Sequence, residues 1–422
     1  MQARKGDAVK QARRVLMLVE NLPSPFDRRV WQEATALRAA GYEVSIICPT
    51  GPGCRRRFEA IDGIEIHRYP LPFEAAGAAG YALEYSIALA RTLWLAWLVF
   101  RRRGFDAIHA CNPPDLFFLV AAPFKLLGKR FVFDHHDLNP ELYEAKFGRR
   151  DFFYRLLLAL ERCTFRLADV SIATNHSYRA IAIERGGMPA ERVFVVRSGP
   201  SLERMKIVPP DESLKKGRRF LVGYVGVMGA QEGIDLLLHA ARYIVTALRR
   251  RDVQFALVGG GTSLEAMRAL ADELGIASYV TFTGRIPDRE LLAYLNTADV
   301  CVNPDVANEM NDKSTMNKIM EYMALGRPIV QFDLTEGRRS ALGASLYARR
   351  NDVTDFACKI VELLEDPARR AAMGAFGRAR VQDALEWRYE APKLLAAYEA
   401  LWCRAKAMRH AGHGRLREGG GD

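Results

Sequence analysis

The stretch Asn311-Asp-Lys-Ser-Thr-Met-Asn-Lys-Ile-Met-Glu-Tyr-Met-Ala-Leu-Gly-Arg-Pro-Ile-Val330 reads as a loop, a helix opening at Ser314 or Thr315, a glycine stop at Gly326 and a buried strand from Pro328. Lys313 and Lys318 stand at or near the predicted helix start. The helix macrodipole disfavours cations at that end, so the arrangement makes best sense if an anion docks between the lysines and the free N–H groups of the first turn. Glu321 follows one turn further in, about 60° around the helix from Lys318, among apolar neighbours. A half-buried carboxylate beyond a phosphate-sized anion site suits a ribose diol, from which it would accept two hydrogen bonds. The pattern is that of a nucleotide site.

Strand and helix signals alternate outward from this stretch in both directions. Arg14–Glu20 is an apolar run, 28–40 is helical and stops at Gly41, and 42–49 is again strand-like. Further runs at 107–112, 131–137, 170–175 and 193–197 keep the rhythm, which breaks in a Pro- and charge-rich stretch containing Pro209-Pro210-Asp211-Glu212. It restarts at 220–227, 253–259, 280–284, 300–303 and 328–332. Strands alternating with helices predict parallel sheets with helices on both faces, here twice. The expected organisation is α/β: a first domain over 12–200, a linker over 201–217, a second domain over 218–385, and a helix over 386–406 that packs back on the first domain. Doubly wound sheets bind ligands outside the C-terminal ends of their strands.

The chain has 422 residues, enough for two domains, and its 49% apolar and 26% charged content is globular. The net charge of +11 includes clusters at Arg55–Arg57, Arg101–Arg103 and Arg149–Arg150, all in the first half. Such clusters suit nucleic acid, anionic lipid, a polyphosphorylated substrate or plain solvated surface. No nucleic-acid module signature accompanies them, so nucleic acid is not an expected partner. Seven cysteines without a C-x-x-C pair argue against a disulfide framework and a zinc site, and point to a reducing, cytoplasmic compartment. Cys48, Cys111 and Cys301 fall in predicted strands as small hydrophobes. The N-terminal residues show no apolar core of signal-peptide type.

Tyr81 to Phe100 is nearly all apolar, but Glu84 and Arg91 interrupt it, which argues against a membrane span. It reads either as a helix packed on a sheet or as one lying on an anionic membrane surface, with Trp94 and Trp97 near the headgroups and Arg101–Arg103 on the lipid.

Several strand ends carry polar residues. Phe133-Asp134-His135-His136-Asp137 closes a strand, and alternation sends His135 and Asp137 to one side and His136 to the other. A histidine here suits a sugar or phosphate, and Asp137 suits a helix cap. Asn112, before Pro113-Pro114, sits where a strand meets a helix whose start the prolines define. In Pro23-Ser24-Pro25-Phe26-Asp27-Arg28-Arg29, Asp27 reads as an N-cap, with Arg28 or Arg29 in reach of a phosphate. Gly259-Gly260-Gly261 leads from a strand into a helix without matching G-x-G-x-x-G, and reads either as a tight turn or as backbone approaching a phosphate or base. With no D-x-D, no H-E-x-x-H and no dense carboxylate cluster in the sequence, no protein-bound catalytic metal and no cofactor are expected.

In this order the motifs resemble a family 4 glycosyltransferase of GT-B architecture, in the branch of bacterial O-antigen and exopolysaccharide enzymes of the WbuB type. The resemblance runs from Arg14 to Leu401. It is strongest from Asn303-Pro304 to Val330, preceded by Gly259-Gly260-Gly261 and Phe282-Thr283-Gly284-Arg285, and Trp387 opens a segment similar to the family's final crossing helix. It implies two Rossmann-like domains facing a cleft. It also implies a donor side made of Gly226, Gly259, Gly260, Arg285, Ser314, Thr315, Met316 and Glu321, with Glu321 on the ribose. Asp27, Arg28 and Asn112 would lie on the acceptor side. Catalytic roles would fall to His135 or His136 with Asp137, and to Lys313 and Lys318.

The chain departs from the family pattern where Lys313 replaces the first glutamate of Glu-x7-Glu, and where Val227 and Glu232 stand at the positions of the usual pyrophosphate-binding Arg and Lys. The implied activity is retaining, metal-independent transfer of a sugar from a UDP-linked donor to a lipid-linked or oligosaccharide acceptor in surface polysaccharide synthesis. The enzyme would be cytoplasmic and peripheral on the inner membrane face. A nucleotide-sugar epimerase or hydrolase of the same architecture, or a non-catalytic nucleotide- or glycan-binding protein, are the alternatives; Lys313 and Glu232 favour the last.

Overall fold

Apolar runs of four to seven residues, too short for helices, become strands buried on both faces in the computed structural model, which describes residues 12–51, 53–70 and 77–414, with side chains of 77–84 and 404–414 left aside. The chain forms two units. One is built from residues up to Pro140, Asp151–Val196 and the chain from Ala391; the other from Glu141–Arg150 and Arg197–Glu390.

The strands of the first unit are β1 (Arg14–Leu18), β2 (Glu43–Pro49), β3 (Phe58–Ile61), β4 (Ile64–Tyr69), β5 (Ala107–Cys111), β6 (Arg130–His135), β7 (Val170–Ala173) and β8 (Val193–Val195). They lie in the order β3-β4-β2-β1-β5-β6-β7-β8, parallel except for the β3–β4 pair. That antiparallel pair was not expected. Its two-residue turn, Asp62-Gly63, has positive φ at both positions, the geometry that twists a hairpin correctly. The helices are α1 (Arg28–Ala39), α2 (Gly77–Arg102), α3 (Phe117–Leu126), then, beyond α4 (Asn139–Phe147), which from Glu141 belongs to the second unit, α5 (Phe152–Leu167) and α6 (His176–Glu184). The connections through α2, α3 and α5 all step from strand to strand in one direction across the sheet, and right-handed crossovers place them on one face. There Ala96, Phe117, Phe124 and Phe165 pack on Leu16, Ile108, Phe131 and Phe133.

The second unit has β9 (Phe220–Val225), β10 (Val253–Val258), β11 (Val280–Gly284), β12 (Val300–Asn303), β13 (Ile329–Phe332) and β14 (Ser345–Ala348), all parallel, in the order β11-β10-β9-β12-β13-β14. Its helices are α7 (Ile234–Thr246), α8 (Leu264–Glu273), α9 (Asp288–Thr297), α10 (Glu309–Lys313), α11 (Asn317–Ala324), α12 (Thr335–Ala341), α13 (Val353–Glu365) and α14 (Pro367–Arg380). A final helix, α15 (Trp387–Gly414), supplies Tyr398, whose hydroxyl lies 2.8 Å from His109 Nδ1 within the first unit. Cys48, Cys111 and Cys301 are buried, as their strand positions imply.

The decisive stretch differs from its reading in one respect. The helix opens at Asn317 rather than at Ser314 or Thr315, and Lys313 ends a separate short helix, α10. Ser314, Thr315 and Met316 form the break, with Ser314 Oγ donating to Met310 O at 2.7 Å. Gly326 has φ +65 just beyond the helix end, where a side chain would be strained.

Two glycines after β10 are demanded by backbone approach. The β9 and β10 ends run so close that a Cβ on Gly259, at φ +130, would lie 1.9 Å from Gly226 O, and one on Gly261 would lie 2.5 Å from Met228 O. Gly259→Ala should therefore lower unfolding free energy by at least about 2 kcal/mol, against about 1 kcal/mol for Gly275→Ala, where φ is +68 but the space is open. Equal losses in denaturant titrations would refute the clash.

Candidate active site

In the second unit the expected donor residues gather at the C-terminal ends of β9 to β12, where doubly wound sheets present loops to ligands. The loop after β9 is sewn to the loop after β10: Gly226 N donates to Val258 O, Met228 N to Gly260 O and Ser263 N to Met228 O, at 2.9–3.0 Å. The three glycines thus serve a tight backbone pairing first. Gly260 alone has open space where a side chain would stand, with Arg285 N, at 4.0 Å, its nearest neighbour. Arg285 itself is exposed on the loop after β11.

Lys318 corrects the sequence reading. Rather than standing free at the helix start, it is 9% exposed, with Nζ 2.7 Å from Glu232 Oε2 and 2.9 Å from Asp305 Oδ1. Burial alone would lower the ammonium's pKa, but Asp305, Tyr224 and Glu232 hold it well above the usual range. The lysine stays charged, and its charge is already matched. Burial also pushes the Asp305 carboxyl up to about 7 despite the opposing pull of Lys318. Asp305 Oδ2 has no hydrogen-bond partner. In the Glu232–Lys318 pair the positive charge lies on α11 and the negative charge on the β9 loop.

Lys313 is a second correction. It lies in the last turn of α10, where the helix dipole favours a cation, and bonds Glu309 Oε1 at 2.6 Å. It does not cap α11. Glu321 does lie one turn into α11, as expected, with its side chain 15% exposed. Its carboxylate receives Arg204 Nη1 at 2.9 Å, and Arg204 also reaches Asp288 at 2.7 Å through Nε. Arg204 was missed because it lies in the Pro-rich stretch, 117 residues before its partner, where no local pattern marks it. Ser314, Thr315 and Met316 are all half-buried beside these groups.

In the first unit the strand-end histidines separate. His135 is fully buried among Phe133, Phe165 and Tyr178, with Nε2 3.5 Å from Glu161 Oε1. It is a core residue, which removes it from the catalytic candidates, because alternation along β6 turns it into the α5 face. His136 faces the other way and remains 14% exposed, with Nε2 against Asp134 Oδ2 and 2.9 Å from Arg29 Nε. Asn112 is also corrected. It is buried, and its amide spans two loops, donating to Asp115 Oδ1 and Asp137 O while accepting from the His136 and Asp137 N–H groups. That leaves it positioning the His136–Asp137 turn rather than touching an acceptor. Asp137, half-buried, is held through its backbone. Asp27 is the N-cap of α1, accepting from Val30 N, and Arg28 is exposed beside it.

Arg29 is the cation that sequence proximity could not place. It is buried, with Nη2 2.8 Å from Asp134 Oδ1 and 3.0 Å from Glu33 Oε1. Around it Glu33, His109, Cys111 and Asp134 bring potential metal-ligating atoms within 4.8 Å of one another, a cluster from three separate elements. The Arg29 guanidinium already supplies the positive charge there. Burial pushes Glu33 well above the usual carboxylate range despite Arg29. Burial also opposes ionisation of Asp134, but Arg29, His136 and His109 outweigh it and hold Asp134 well below that range. Burial lowers His109. The cluster therefore closes as a neutral histidine and glutamic acid around one ionised Asp–Arg pair.

Two parallel doubly wound sheets, one carrying a glycine-lined loop pair and a half-buried glutamate on the helix beyond them, define the GT-B glycosyltransferase fold. Residues 27–199 match the family model of the glycosyl transferase 4-like domain and residues 219–366 that of glycosyl transferases group 1, and the chain belongs to this glycosyltransferase family. It is 27% identical over 367 residues to the 2-deoxystreptamine glucosyltransferase of Streptomyces kanamyceticus, covering 83% of this chain and 92% of that one. Among solved structures, sucrose-phosphate synthase from Thermosynechococcus elongatus superposes with a TM-score of 0.78 at 20% identity, covering 93% of this chain and all of that one. The HepE protein of Anabaena in complex with UDP-glucose gives 0.69 at 16% identity, over 92% and 99% of the two chains. At these identities the two structures show a shared fold.

Two measurements test the charge states. Glu33→Gln should change unfolding free energy by less than about 1 kcal/mol, because the native group is already neutral, whereas Asp134→Asn should cost about 3–5 kcal/mol by stranding Arg29. Similar losses for both would contradict the assignment. For Asp305, the folded carboxyl holds its proton up to about pH 7 while the unfolded one releases it near 3.8, so its contribution is complete below the unfolded value and is lost as pH rises through about 7. Asp305→Asn should flatten that part of the stability–pH curve; an unchanged slope would show the carboxyl to be ionised throughout.

Proposed function

We propose that the chain is a retaining glycosyltransferase that moves a sugar from a UDP-linked donor to a lipid-linked glycan acceptor. It would act without a metal, at the inner membrane face, in bacterial surface polysaccharide synthesis of the WbuB type. The observation that carries the donor half is Glu321, presented beyond the paired glycine loops and aligned by Arg204. A carboxylate held by one arginine keeps further lone pairs for the two ribose hydroxyls, and the arginine fixes its rotamer in advance. Support for a nucleotide-sugar donor comes from the UDP-glucose carried by HepE and from the glucosyltransferase named among the relatives.

In the transfer, the bond between the sugar's anomeric carbon and the diphosphate oxygen breaks, and the acceptor oxygen bonds to that carbon on the same face. The departing diphosphate takes the electron pair and receives the proton that the acceptor hydroxyl gives up. Its charge requires donors aimed at it before it forms. With Lys313 and Lys318 committed to carboxylates, the groups proposed for that task are Arg285, the backbone of Gly226 and Gly260, and the first N–H groups of α11 after Ser314, Thr315 and Met316. The Lys318–Glu232–Asp305 triad positions these loops. His136, oriented by Asp134 and Asn112, and the adjacent Asp137 serve the acceptor side, together with Asp27 and Arg28.

Calorimetric titration with UDP, GDP and ADP tests this reading. UDP should bind most tightly, and Glu321→Ala should weaken it at least about tenfold through loss of the charge-assisted hydrogen bonds. Binding of none of the three would overturn the reading in favour of a non-catalytic glycan-binding protein.

A further inference from the structure

In the first unit, α5 turns an apolar face outward. Phe152, Phe153 and Leu156 are 71%, 50% and 40% exposed, and Ala159 and Cys163 continue the same face. At 100° per residue these five fall within about 120° of the helix circumference, and Arg155, Arg162 and Arg166 occupy about 40° directly beside them. The buried side of the helix is the one carrying Glu161, Thr164 and Phe165. None of the three arginines makes an ion pair among the described residues, and α5 exposes no acidic side chain.

The neighbouring helices repeat the pattern. α3 packs between α2 and α5 on the same face of the sheet. It exposes Leu119, and its C-terminal end exposes Leu126 and Leu127, at 45%, 89% and 51%. α2 exposes Trp94 and Trp97, with Arg101 one turn on from Trp97. Singly exposed apolar residues need no explanation, but a layer of three adjacent helices that shows aromatic and leucine side chains beside unpaired arginines does.

We propose that the outer face of α2, α3 and α5 docks on an anionic phospholipid bilayer. The occupant is chosen by charge complementarity. Arginines flanking an apolar stripe let their aliphatic stems lie along the hydrocarbon boundary while each guanidinium reaches a phosphate, and tryptophans settle at headgroup depth. No helix among the described residues is long and apolar enough to cross a membrane, so the contact is one of lying on the surface. The inference deepens the proposed function, since a lipid-linked acceptor is met at a membrane, and extends the contact from the α2 segment to a layer whose main contributor is α5.

The test is co-sedimentation of the full chain with phosphatidylcholine vesicles, with and without phosphatidylglycerol, and UDP calorimetry on the same samples. Binding should require the anionic lipid. Phe152→Ser with Phe153→Ser should weaken it about tenfold or more, and Arg155→Gln, Arg162→Gln and Arg166→Gln together by about a hundredfold, with UDP affinity unchanged. These positions are exposed, so circular dichroism should show the variants folded. Vesicle binding that ignores both sets of substitutions would overturn the proposal, as would its absence while UDP still binds, which leaves the donor reading standing. A dimer broken by the phenylalanine substitutions, without vesicle binding, would assign the face to a second copy of the chain instead. Vesicle binding with no nucleotide bound would support the docking face and remove the donor reading.

Discussion

The ammonium of Lys318 holds the loops at the C-terminal strand ends of the second unit together. It joins α11 to Glu232, on the loop after β9, and to Asp305, on the loop after β12. Tyr322, one turn along α11, adds a second tie: its hydroxyl accepts Val225 N at 2.9 Å and meets Val302 O at 3.2 Å, joining β9 and β12 beneath the lysine. A buried charge gains little net stability from its partners, because desolvation consumes most of the attraction. What it gains is geometry. With its three donors shared between two loops, the lysine leaves the helix start few alternative positions, and the glycine pairing at Gly226 and Gly259 then fits only one arrangement of the β9 and β10 loops.

The first unit uses a different device for the same end. Arg29 lies under α1 between Glu33 and Asp134, and Asp134 in turn orients His136. Asn112 fastens the turn that follows with three side-chain hydrogen bonds and Asp115 with a fourth. Polar residues at strand ends that look catalytic in a linear sequence are thus mostly fasteners. Only the outermost of them, His136 and Asp137, keep exposed surface. A buried polar group must be satisfied internally, so a strand end rich in Asp, His and Asn needs partners from other elements before it can offer anything to a ligand.

Much of the architecture was legible because parallel sheets covered on both faces write themselves as apolar runs between helical patterns. β1, β2, β5 to β13 and the helices α1, α2 and α15 fall where the sequence places them. β3 and β4 were not recognised, although Asp62-Gly63 carried a hairpin signal and Ile64-Glu65-Ile66-His67 alternates, because neither forms the continuous apolar run that marks the parallel strands. The break at Ser314–Met316 was also hidden. Nothing in the local composition forbids a continuous helix, and the interruption follows from where Asn311 is tied, through Nδ2, to Gln231 O and Val306 O.

The sequence by itself determined the fold class, the two-sheet organisation and the position of Glu321 on the helix beyond the glycine loops, since these follow from periodicity and backbone stereochemistry within short windows. Tertiary structure alone decided which charges are available. Lys318 meets Glu232 and Asp305 from 86 and 13 residues away, and Arg29 meets Asp134 across 105. Whether a lysine awaits a phosphate or is already paired depends on the distance and burial of such partners, and electrostatic energy varies with both far more steeply than with sequence spacing.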